Sequence, residues 1–349
     1  MRTFNYASLK VKNWDNEIVG YIAQIHEHKA KQELFLKQKP RELEKLVEIA
    51  KVQSTLSSNE IEGIRTTNTR LKQLVSDKTT PKNRDEEEIA GYRDVLNTIH
   101  ENYEYIPITS NYILGLHKIL YSHSSKAFGG SYKNVQNYIS ATDSNGKTYT
   151  LFTPLEPYET KSAIENICDE FNKAIADAQV DPLILIPIFI HDFLCIHPFL
   201  DGNGRMSRLL TTLLLYRCGY LVGKYISLEA KISKNKNLYY DALEKSQQDW
   251  HNGNNNPEAF IKYLLGIIIS AYRDFEERVD VASEKLPAIE IVKKAIVKIV
   301  GKFNKAKLVE FCPSLSVKSI ESALKKLVDN DLIEKYGTGK NTFYTKKNL

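Results

Sequence analysis

The chain has 349 residues, of which 42% are hydrophobic and 26% charged, and its formal net charge is +5. These values are typical of globular proteins, so they exclude disorder, a collagen repeat or a small disulfide scaffold as a description of the whole chain. The length predicts two or three domains. Residues 287–349 carry 13 lysines, no arginine and six carboxylates, a charge of +7, which leaves −2 for the remainder. The sequence therefore predicts a near-neutral body with a basic tail.

The cysteines and the apolar segments indicate a compartment. The four cysteines lie far apart and form neither a CxxC pair nor a zinc spacing. The N-terminus has no apolar signal-peptide core. The most apolar run, residues 183–196, is interrupted by Pro187 and two polar residues and is too short to span a membrane. We therefore expect a reduced, cytoplasmic protein with no membrane partner.

Most of the chain predicts helices, because apolar positions recur with a period near 3.6 residues. The predicted helices cover residues 41–62, 86–101, 107–121, 159–178, 182–196, 206–218 and 256–278. Gly63 follows the first of them as a helix stop. The run 182–196 is apolar nearly all round, as expected of a central helix. Residues 1–40 are expected to form an N-terminal arm.

One segment, residues 137–152, breaks the helical pattern. It is rich in β-branched and aromatic residues, and Asn145-Gly146 at its centre is the strongest short signal for a hairpin. A lone hairpin is barely stable in water. We therefore expect it to pack on the helical body or to be completed by a partner strand.

The composition changes again near residue 285, where the lysine-rich tail begins. Helical patterns cover residues 289–300, 305–311 and 315–328, and two β-like runs surround Gly337-Thr338-Gly339. Three helices followed by a wing is the layout of a winged helix-turn-helix. The sequence therefore predicts a second, small domain at residues 286–349.

The segment HPFLDGNGRMSR, which begins at His197, carries the chemistry. Two glycines flank Asn203, and glycines together with a following helix N-terminus form an anion nest suited to phosphates. Arg205 and Arg208 lie three residues apart on the first turn of that helix and can reach one anion. Asp201 can hold Mg²⁺ beside phosphates. His197 caps the preceding helix and is placed to act as a general base.

This segment resembles the Fic motif, HxFx(D/E)GNGRxxR, at every position. The resemblance extends over roughly residues 40–280 and implies a mainly α, Fic-type helical bundle at residues 41–285. It also implies transfer of AMP from ATP to a Tyr, Thr or Ser hydroxyl of a target protein. The hairpin 137–152 occupies the position of the Fic flap, whose free edge would bind an extended target segment by strand addition.

The resemblance also assigns roles to single residues. His197 would take the proton from the target hydroxyl, and Asp201 would bind the Mg²⁺ that bridges the α- and β-phosphates. Arg205 would contact the β-phosphate, Arg208 the γ-phosphate, and Phe199 would anchor the loop in the core. The other motif residues that the resemblance places at ATP are Gly202, Asn203, Gly204, Met206 and Ser207.

A second match concerns the nucleotide base. Residues 237–243 resemble the family's NxxYYxxL helix, whose aromatic side chains lie by the adenine. Tyr240 is the main candidate for base contact and Tyr239 the next. The alternative is that both are core tyrosines.

Upstream, Ser58-Asn59-Glu60-Ile61-Glu62-Gly63 resembles the family's inhibitory pattern, (S/T)xxxE(G/N). It puts a carboxylate at a helix C-terminus, where the macrodipole disfavours negative charge. We expect Glu62 of an inhibitory helix at 41–63 to pair with Arg208 and block the γ-phosphate seat, with Ser58 beside it. A solvated helix end is the alternative. In related enzymes this Glu also orients water to remove AMP, so the reverse activity stays open.

The tail supports an alternative function, that of a DNA-binding regulator. Lys318, Lys325 and Lys326 lie on the third predicted tail helix, and Lys335 and Lys340 lie in the wing. Lysines there would neutralise phosphates, but without arginine the reading of bases would be poor. Winged helices also bind proteins, so the expected tail partner is DNA or an acidic protein. The sequence does not identify the target, its acceptor residue or the signal that relieves inhibition. It also leaves open whether the protein forms a homodimer.

Overall fold

The computed structural model describes residues 2–38, 40–126, 128–142, 146, 148–283, 286–312 and 314–347, and the fold is mainly helical. The helices are α1 (Asn16–Gln38), α2 (Pro40–Ile61), α3 (Asn68–Val75), α4 (Arg84–Asn102), α5 (Ser110–Leu120), α6 (Pro157–Asp177), α7 (Pro182–Ile196), α8 (Asn203–Arg217), α9 (Leu228–Lys234), α10 (Lys236–Gln247), α11 (Glu258–Ser283), α12 (Ala288–Lys298), α13 (Lys305–Phe311) and α14 (Val317–Asp329). The strands are β1 (Ile139–Thr142), β2 (Thr148–Phe152), β3 (Ile333–Tyr336) and β4 (Phe343–Lys346).

Helix α7 lies at the centre of the larger body. Every residue from 183 to 196 is buried, and α6, α8, α10 and α11 pack around it. Asp181 caps its N-terminus by accepting a hydrogen bond from Leu183 N at 2.8 Å. No helix in the described part of the chain, α7 included, combines the length and the apolar character needed to cross a bilayer.

The N-terminal residues, predicted as an arm, contact the helical body. Helix α1 packs along α11, and the Tyr6 hydroxyl donates a hydrogen bond to the buried Asp192 of α7 at 2.8 Å. Residues 2–38 are therefore part of the helical body. The sequence also did not predict α3 and α9, whose eight and seven residues are too few to show a clear helical period.

The predicted hairpin is present as β1 and β2, which pair antiparallel with Ala141 opposite Tyr149. The register shifts between Ile139 and Ser140, at the end of the hairpin nearest the helical body. Within the described ranges the sheet has two strands, so each keeps a free edge. The predicted turn at Asp143, Ser144 and Asn145 lies outside the described residues.

Residues 288–346 build a second, smaller core, in which α12, α13, α14 and β3 bury apolar side chains. Phe303 and Tyr344 join the helices to the last strand through two backbone hydrogen bonds of 3.0 and 2.7 Å. The order of three helices and an antiparallel strand pair agrees with the predicted elements. Assignment of this region to the winged-helix class stays a prediction.

The contact between α4 and α5 provides a test of the packing. A Cβ at Gly91 would collide with the carbonyl oxygen of Leu120 and lie 2.7 Å from its carbonyl carbon, whereas a Cβ at Gly115 on α5 would meet nothing within 4 Å. We expect Gly91→Ala to lower the free energy of unfolding by about 1–3 kcal/mol. Gly115→Ala, the control, should raise it by up to about 1 kcal/mol. Urea unfolding followed by circular dichroism measures both, and equal effects would contradict the packing described.

Candidate active site

The site is built on a sharp turn between α7 and α8. The apolar α7 ends at Ile196, and His197, which follows it, has a left-handed backbone with φ +51°. Helix α8 begins after Gly202, with φ +84°. The Asn203 side chain closes the turn, because its Oδ1 accepts from Phe199 N at 2.9 Å and its Nδ2 donates to Phe199 O at 2.7 Å. The Asn203 side chain is thus committed to the loop, which leaves its backbone N–H as the group available to an anion.

A buried histidine packs against this loop. The ring of His117, on α5, stacks on that of Phe199 at 3.7 Å. Gly130 N donates to Nδ1 of His117 at 2.9 Å, so Nε2 carries the proton and donates to the carbonyl oxygen of Asp201 at 3.1 Å. Phe199 therefore anchors the loop as predicted, but the sequence did not indicate His117, a single histidine on the buried face of α5.

His197 is placed as a base. Its Nδ1 donates to the carbonyl oxygen of Leu194 at 3.2 Å, so the lone pair belongs to Nε2. Burial lowers the pKa of His197 to about 4. The imidazole is therefore neutral at physiological pH and able to accept a proton, as a general base must be.

Asp201 is ionised and partly accessible, with 40% of its side chain exposed. Lys126 Nζ donates to its Oδ2 at 3.0 Å, and Gly202 N donates to its Oδ1 at 2.7 Å. Burial alone would raise the pKa of Asp201, but Lys126 and Arg205 outweigh it and hold that pKa below its ordinary value. The sequence did not single out Lys126, which lies 75 residues earlier in the chain.

Arg205, predicted to contact the β-phosphate, is paired with side chains of the protein itself. Its side chain is only 2% exposed, and its Nη1 pairs with Glu88 Oε2 of α4 at 2.9 Å. Its Nη2 donates to the Tyr121 hydroxyl at 2.8 Å. The guanidinium therefore links α8 to α4 and lies 3.7 Å from Asp201, and Arg205 also lines the cavity described below. Its contact with the β-phosphate stays a prediction.

Arg208 makes the contacts that the sequence predicted. Its Nη2 donates to Glu62 Oε1 at 2.7 Å, and the Ser58 hydroxyl accepts from its Nε at 2.8 Å. Burial alone would lower the pKa of Arg208, but the neighbouring Glu62 raises it above its ordinary value. Gly63, with φ +80°, ends the turn that presents Glu62.

The Glu62 carboxylate lies directly over the glycine nest. A Cβ at Gly204 would collide with Glu62 Oε1 and lie 3.3 Å from Arg208 Nη1. The N-terminal end of α8, where the backbone N–H groups favour an anion, is therefore already covered by a carboxylate. Glu62 and a bound phosphate would compete for the same position.

A cavity of about 560 Å³ opens above the turn. His197, Asp201, Gly204, Arg208 and Glu62 form one side of it. The flap forms another side through Ile139, Ser140 and Leu151. Two predicted ATP residues do not line it, because Met206 is fully buried in the core and Ser207 donates to the carbonyl oxygen of Gly204 at 2.8 Å.

The two tyrosines of α10 have different surroundings. Tyr240 is 44% exposed and lines the cavity, which suits stacking on a base. Tyr239 also lines it but is 5% exposed and packs against Phe260 and Tyr263. Of the two, Tyr240 has the accessible ring that base contact requires.

In the tail, Lys318, Lys325, Lys326 and Lys335 are exposed, and the side chain of Lys340 lies outside the described residues. Glu321, on the same helix as the first three, is exposed too and pairs with Lys305 at 2.6 Å. The surface of α14 is therefore of mixed charge.

The central part of the sequence matches a known family. Residues 107–215, which contain α5, the flap, α7 and most of α8, match the Fic/DOC family. The protein adenylyltransferase fic-1 of Caenorhabditis elegans is 27% identical over 117 residues, 34% of this chain and 21% of that protein. The protein adenylyltransferase Fic of Drosophila willistoni is 30% identical over 115 residues, 33% of this chain and 21% of that protein. Residues 107–215 are thus similar to the Fic/DOC family, and the chain spans about a fifth of the length of these curated relatives.

Solved structures share the fold. A Fic family protein from Desulfovibrio desulfuricans matches with a TM-score of 0.60 at 18% identity, over 97% of this chain and 98% of that one. A Fic domain containing signaling protein from Bacteroides thetaiotaomicron matches with a TM-score of 0.63 at 23% identity, over 74% of this chain and 97% of that one. The predicted helical Fic fold is thereby confirmed.

The buried histidines generate a prediction about pH. Burial lowers the pKa of His117 and His197 to about 4 and that of His100 and His191 to about 3, against about 6.5 when unfolded. Below pH 6.5 the unfolded chain therefore binds more protons, and stability falls by up to about 1.4 kcal/mol per pH unit for each histidine. Paired carboxylates, such as Glu86 with a pKa of about 2, add their loss only below about pH 4.5.

We expect the free energy of unfolding to decrease between pH 7 and pH 5.5, measured by urea titration at each pH. His100→Gln should reduce the slope, and the exposed His251→Gln is the matched control. A free energy that stays constant over this interval would contradict the assignment of neutral, buried imidazoles.

Proposed function

We propose that this protein transfers AMP from ATP to a Tyr, Thr or Ser hydroxyl of a target protein. One observation carries the proposal: a neutral histidine, an ionised carboxylate and the glycine-flanked N-terminus of α8 meet at the floor of one cavity. These are a base, a cation ligand and an anion seat, which phosphoryl-type transfer requires in fixed relative positions. The named activity of the matching relatives supports the same reaction.

In the proposed reaction, Nε2 of His197 accepts the proton of the target hydroxyl. The hydroxyl oxygen then forms a bond to the α-phosphorus of ATP, and the bond from that phosphorus to the bridging oxygen of the β-phosphate breaks. Pyrophosphate leaves with that oxygen. The hydrogen bond from Nδ1 of His197 to Leu194 fixes the ring, so that Nε2 keeps its direction during the transfer.

The backbone N–H groups at Gly204 and the Arg208 guanidinium would hold the phosphates. Asp201 fits a Mg²⁺ site, because it is ionised and partly exposed and Mg²⁺ is commonly bound by one or two carboxylates together with substrate phosphates. In the described ranges, three or more His, Cys, Asp or Glu side chains do not cluster around a common point, and Asp201 is the carboxylate that the proposal assigns to the metal. A bound Mg²⁺ would neutralise charge on the phosphates. Lys126, at 3.0 Å from the same carboxylate, would have to move aside.

The same proposal includes a brake. Because Glu62 covers Gly204 and pairs with Arg208, its carboxylate would occupy the position proposed for the γ-phosphate. ATP would bind productively only after that carboxylate leaves. Removal of AMP with water oriented by Glu62 stays a prediction.

Other parts of the proposal concern partners and location. The free edge of the flap would receive an extended target segment beside His197. Residues 286–349 would act as a winged-helix module that recruits an acidic protein, and their mixed surface charge gives DNA binding no added support. The four free thiols are compatible with the cytoplasm. A homodimer stays a prediction.

The reaction is tested with ATP labelled at the α- or the γ-phosphate in the presence of Mg²⁺. We expect α-label to be retained covalently in protein and γ-label to be lost with pyrophosphate. His197→Ala should abolish the incorporation, since no other group replaces the base. Retention of γ-label alone would indicate a kinase and contradict the proposal.

The brake is tested by comparing two glycine substitutions at the C-terminal end of α2. Glu62→Gly should raise incorporation of AMP by about 5- to 150-fold, the range of a coupling free energy of about 1–3 kcal/mol. Glu60→Gly, at an exposed position two residues earlier, is the matched control and should leave the rate close to that of the wild type. Equal rates for the wild type and Glu62→Gly would contradict autoinhibition.

A further inference from the structure

A buried lysine lies between the flap and the loop at residues 197–202, called the catalytic loop below. The proposed function assigns no role to this lysine. Lys133 is 3% exposed and belongs to the segment that joins α5 to β1. Its ammonium donates to Asn137 Oδ1 at 2.9 Å and to the carbonyl oxygen of Ile196 at 3.2 Å. Lysine is costly to bury without such partners, so this position demands an explanation.

The contacts of this segment converge on the residues that flank His197. Besides the Lys133 ammonium on Ile196, the backbone N–H of Lys133 donates to the carbonyl oxygen of Pro198 at 2.8 Å. Asn137 Nδ2 donates to the carbonyl oxygen of Phe199 at 3.0 Å. Strand β1 begins two residues after Asn137. The start of the flap is therefore fastened to the carbonyl groups on both sides of the base.

The positive charge of Lys133 lies at the C-terminal end of α7. The carbonyl of Ile196 is one of the free carbonyls at the C-terminus of α7, where the macrodipole favours a cation. Burial lowers the pKa of Lys133 to about 8, which leaves most of it charged at neutral pH. The charged groups that act on His197 are Lys133, which lowers its pKa, and Glu62 at the end of α2, which raises it.

We propose that Lys133 is a positioning residue that fastens the flap to the catalytic loop, so that a segment docked on the flap and the Nε2 of His197 keep a fixed relative position. Two effects follow. The hydrogen bonds hold the left-handed turn at His197, and the ammonium disfavours a second positive charge on the imidazole. This inference rests on the proposed AMP transfer, and it can be measured separately from it.

The first experiment needs no substrate. In protein labelled at histidine, the His197 ring, assigned from the spectrum of His197→Gln, is titrated by NMR in the wild type and in Lys133→Met. We expect the His197 titration to move to higher pH in Lys133→Met, because a nearby cation has been removed. Asn137→Ala removes an acceptor of the lysine and the bond to Phe199 but keeps the ammonium. It should leave the titration in place and increase amide exchange over residues 196–204.

The second experiment measures AMP transfer in the Glu62→Gly background. Lys133→Met and Asn137→Ala should each lower kcat by about tenfold or more, since a displacement near 1 Å at a reacting group can cost a hundredfold, with the KM for ATP within twofold. Lys161→Met, at an exposed position on α6, is the control and should match the parent. Lys133→Arg, which keeps the charge, should restore part of kcat.

The outcomes separate the two proposals. An unchanged His197 titration in folded Lys133→Met together with unchanged kcat overturns the role of Lys133. If Lys133→Met does not fold, an Asn137→Ala variant with parental kcat and parental amide exchange overturns it instead. Absence of AMP transfer in the Glu62→Gly parent contradicts the proposed function, whereas the NMR titration still decides the role of Lys133.

Discussion

The left-handed turn at His197 is the constraint on which the rest of the site depends. A residue other than glycine in this backbone region costs about 1–3 kcal/mol and persists only when its surroundings hold it there. Here the surroundings are the buried α7 on one side and the Asn203 side chain on the other, which fixes the loop through both backbone groups of Phe199. The turn reverses the chain within six residues. As a result the imidazole, the Asp201 carboxylate and the N-terminus of α8 face one cavity.

Charge balance explains how so many ionised groups coexist in this small region. Arg205 and Lys126 share the carboxylates of Glu88 and Asp201, and Arg208 takes that of Glu62. A buried guanidinium without an anion would be strongly unfavourable. Glu62 therefore stabilises the empty site and, in the proposed function, also excludes the nucleotide. A phosphate that replaced Glu62 would pair with Arg208 in its turn. The exchange of one anion for another would therefore not leave the buried guanidinium unpaired.

The features that the sequence predicts well are those set by local pattern. Periodicity predicted the helices that have a clear apolar period, and the Asn-Gly pair predicted the hairpin. The two glycines predicted the turn between α7 and α8.

The pairing of Glu62 with Arg208 was available only from the resemblance, because spacing along the chain says nothing about contacts 146 residues apart. The same limit applies to the pairing of Arg205 with Glu88, which lies far earlier in the chain. The contact of Arg205 with the β-phosphate, which the resemblance implies, stays a prediction. Lys133 and His117 were missed because a single polar residue carries no periodic signal.

The geometry of α2 restricts how the proposed brake could open. Helix α2 packs on α4 and α9, and Lys236 of α10 donates to the carbonyl oxygen of Ile61 at 2.6 Å, one residue before Glu62. Glu62 itself follows the last helical residue, and its N–H bonds to Asn59 in a tightened turn. Displacement of the whole helix would break all of these contacts, whereas rotation of the Glu62 side chain, which is 34% exposed, breaks only its pair with Arg208. We therefore expect the proposed brake to be relieved by a local movement of the Glu62 side chain. The equilibrium would depend on how much more strongly Arg208 and the N-terminus of α8 bind a phosphate than a carboxylate.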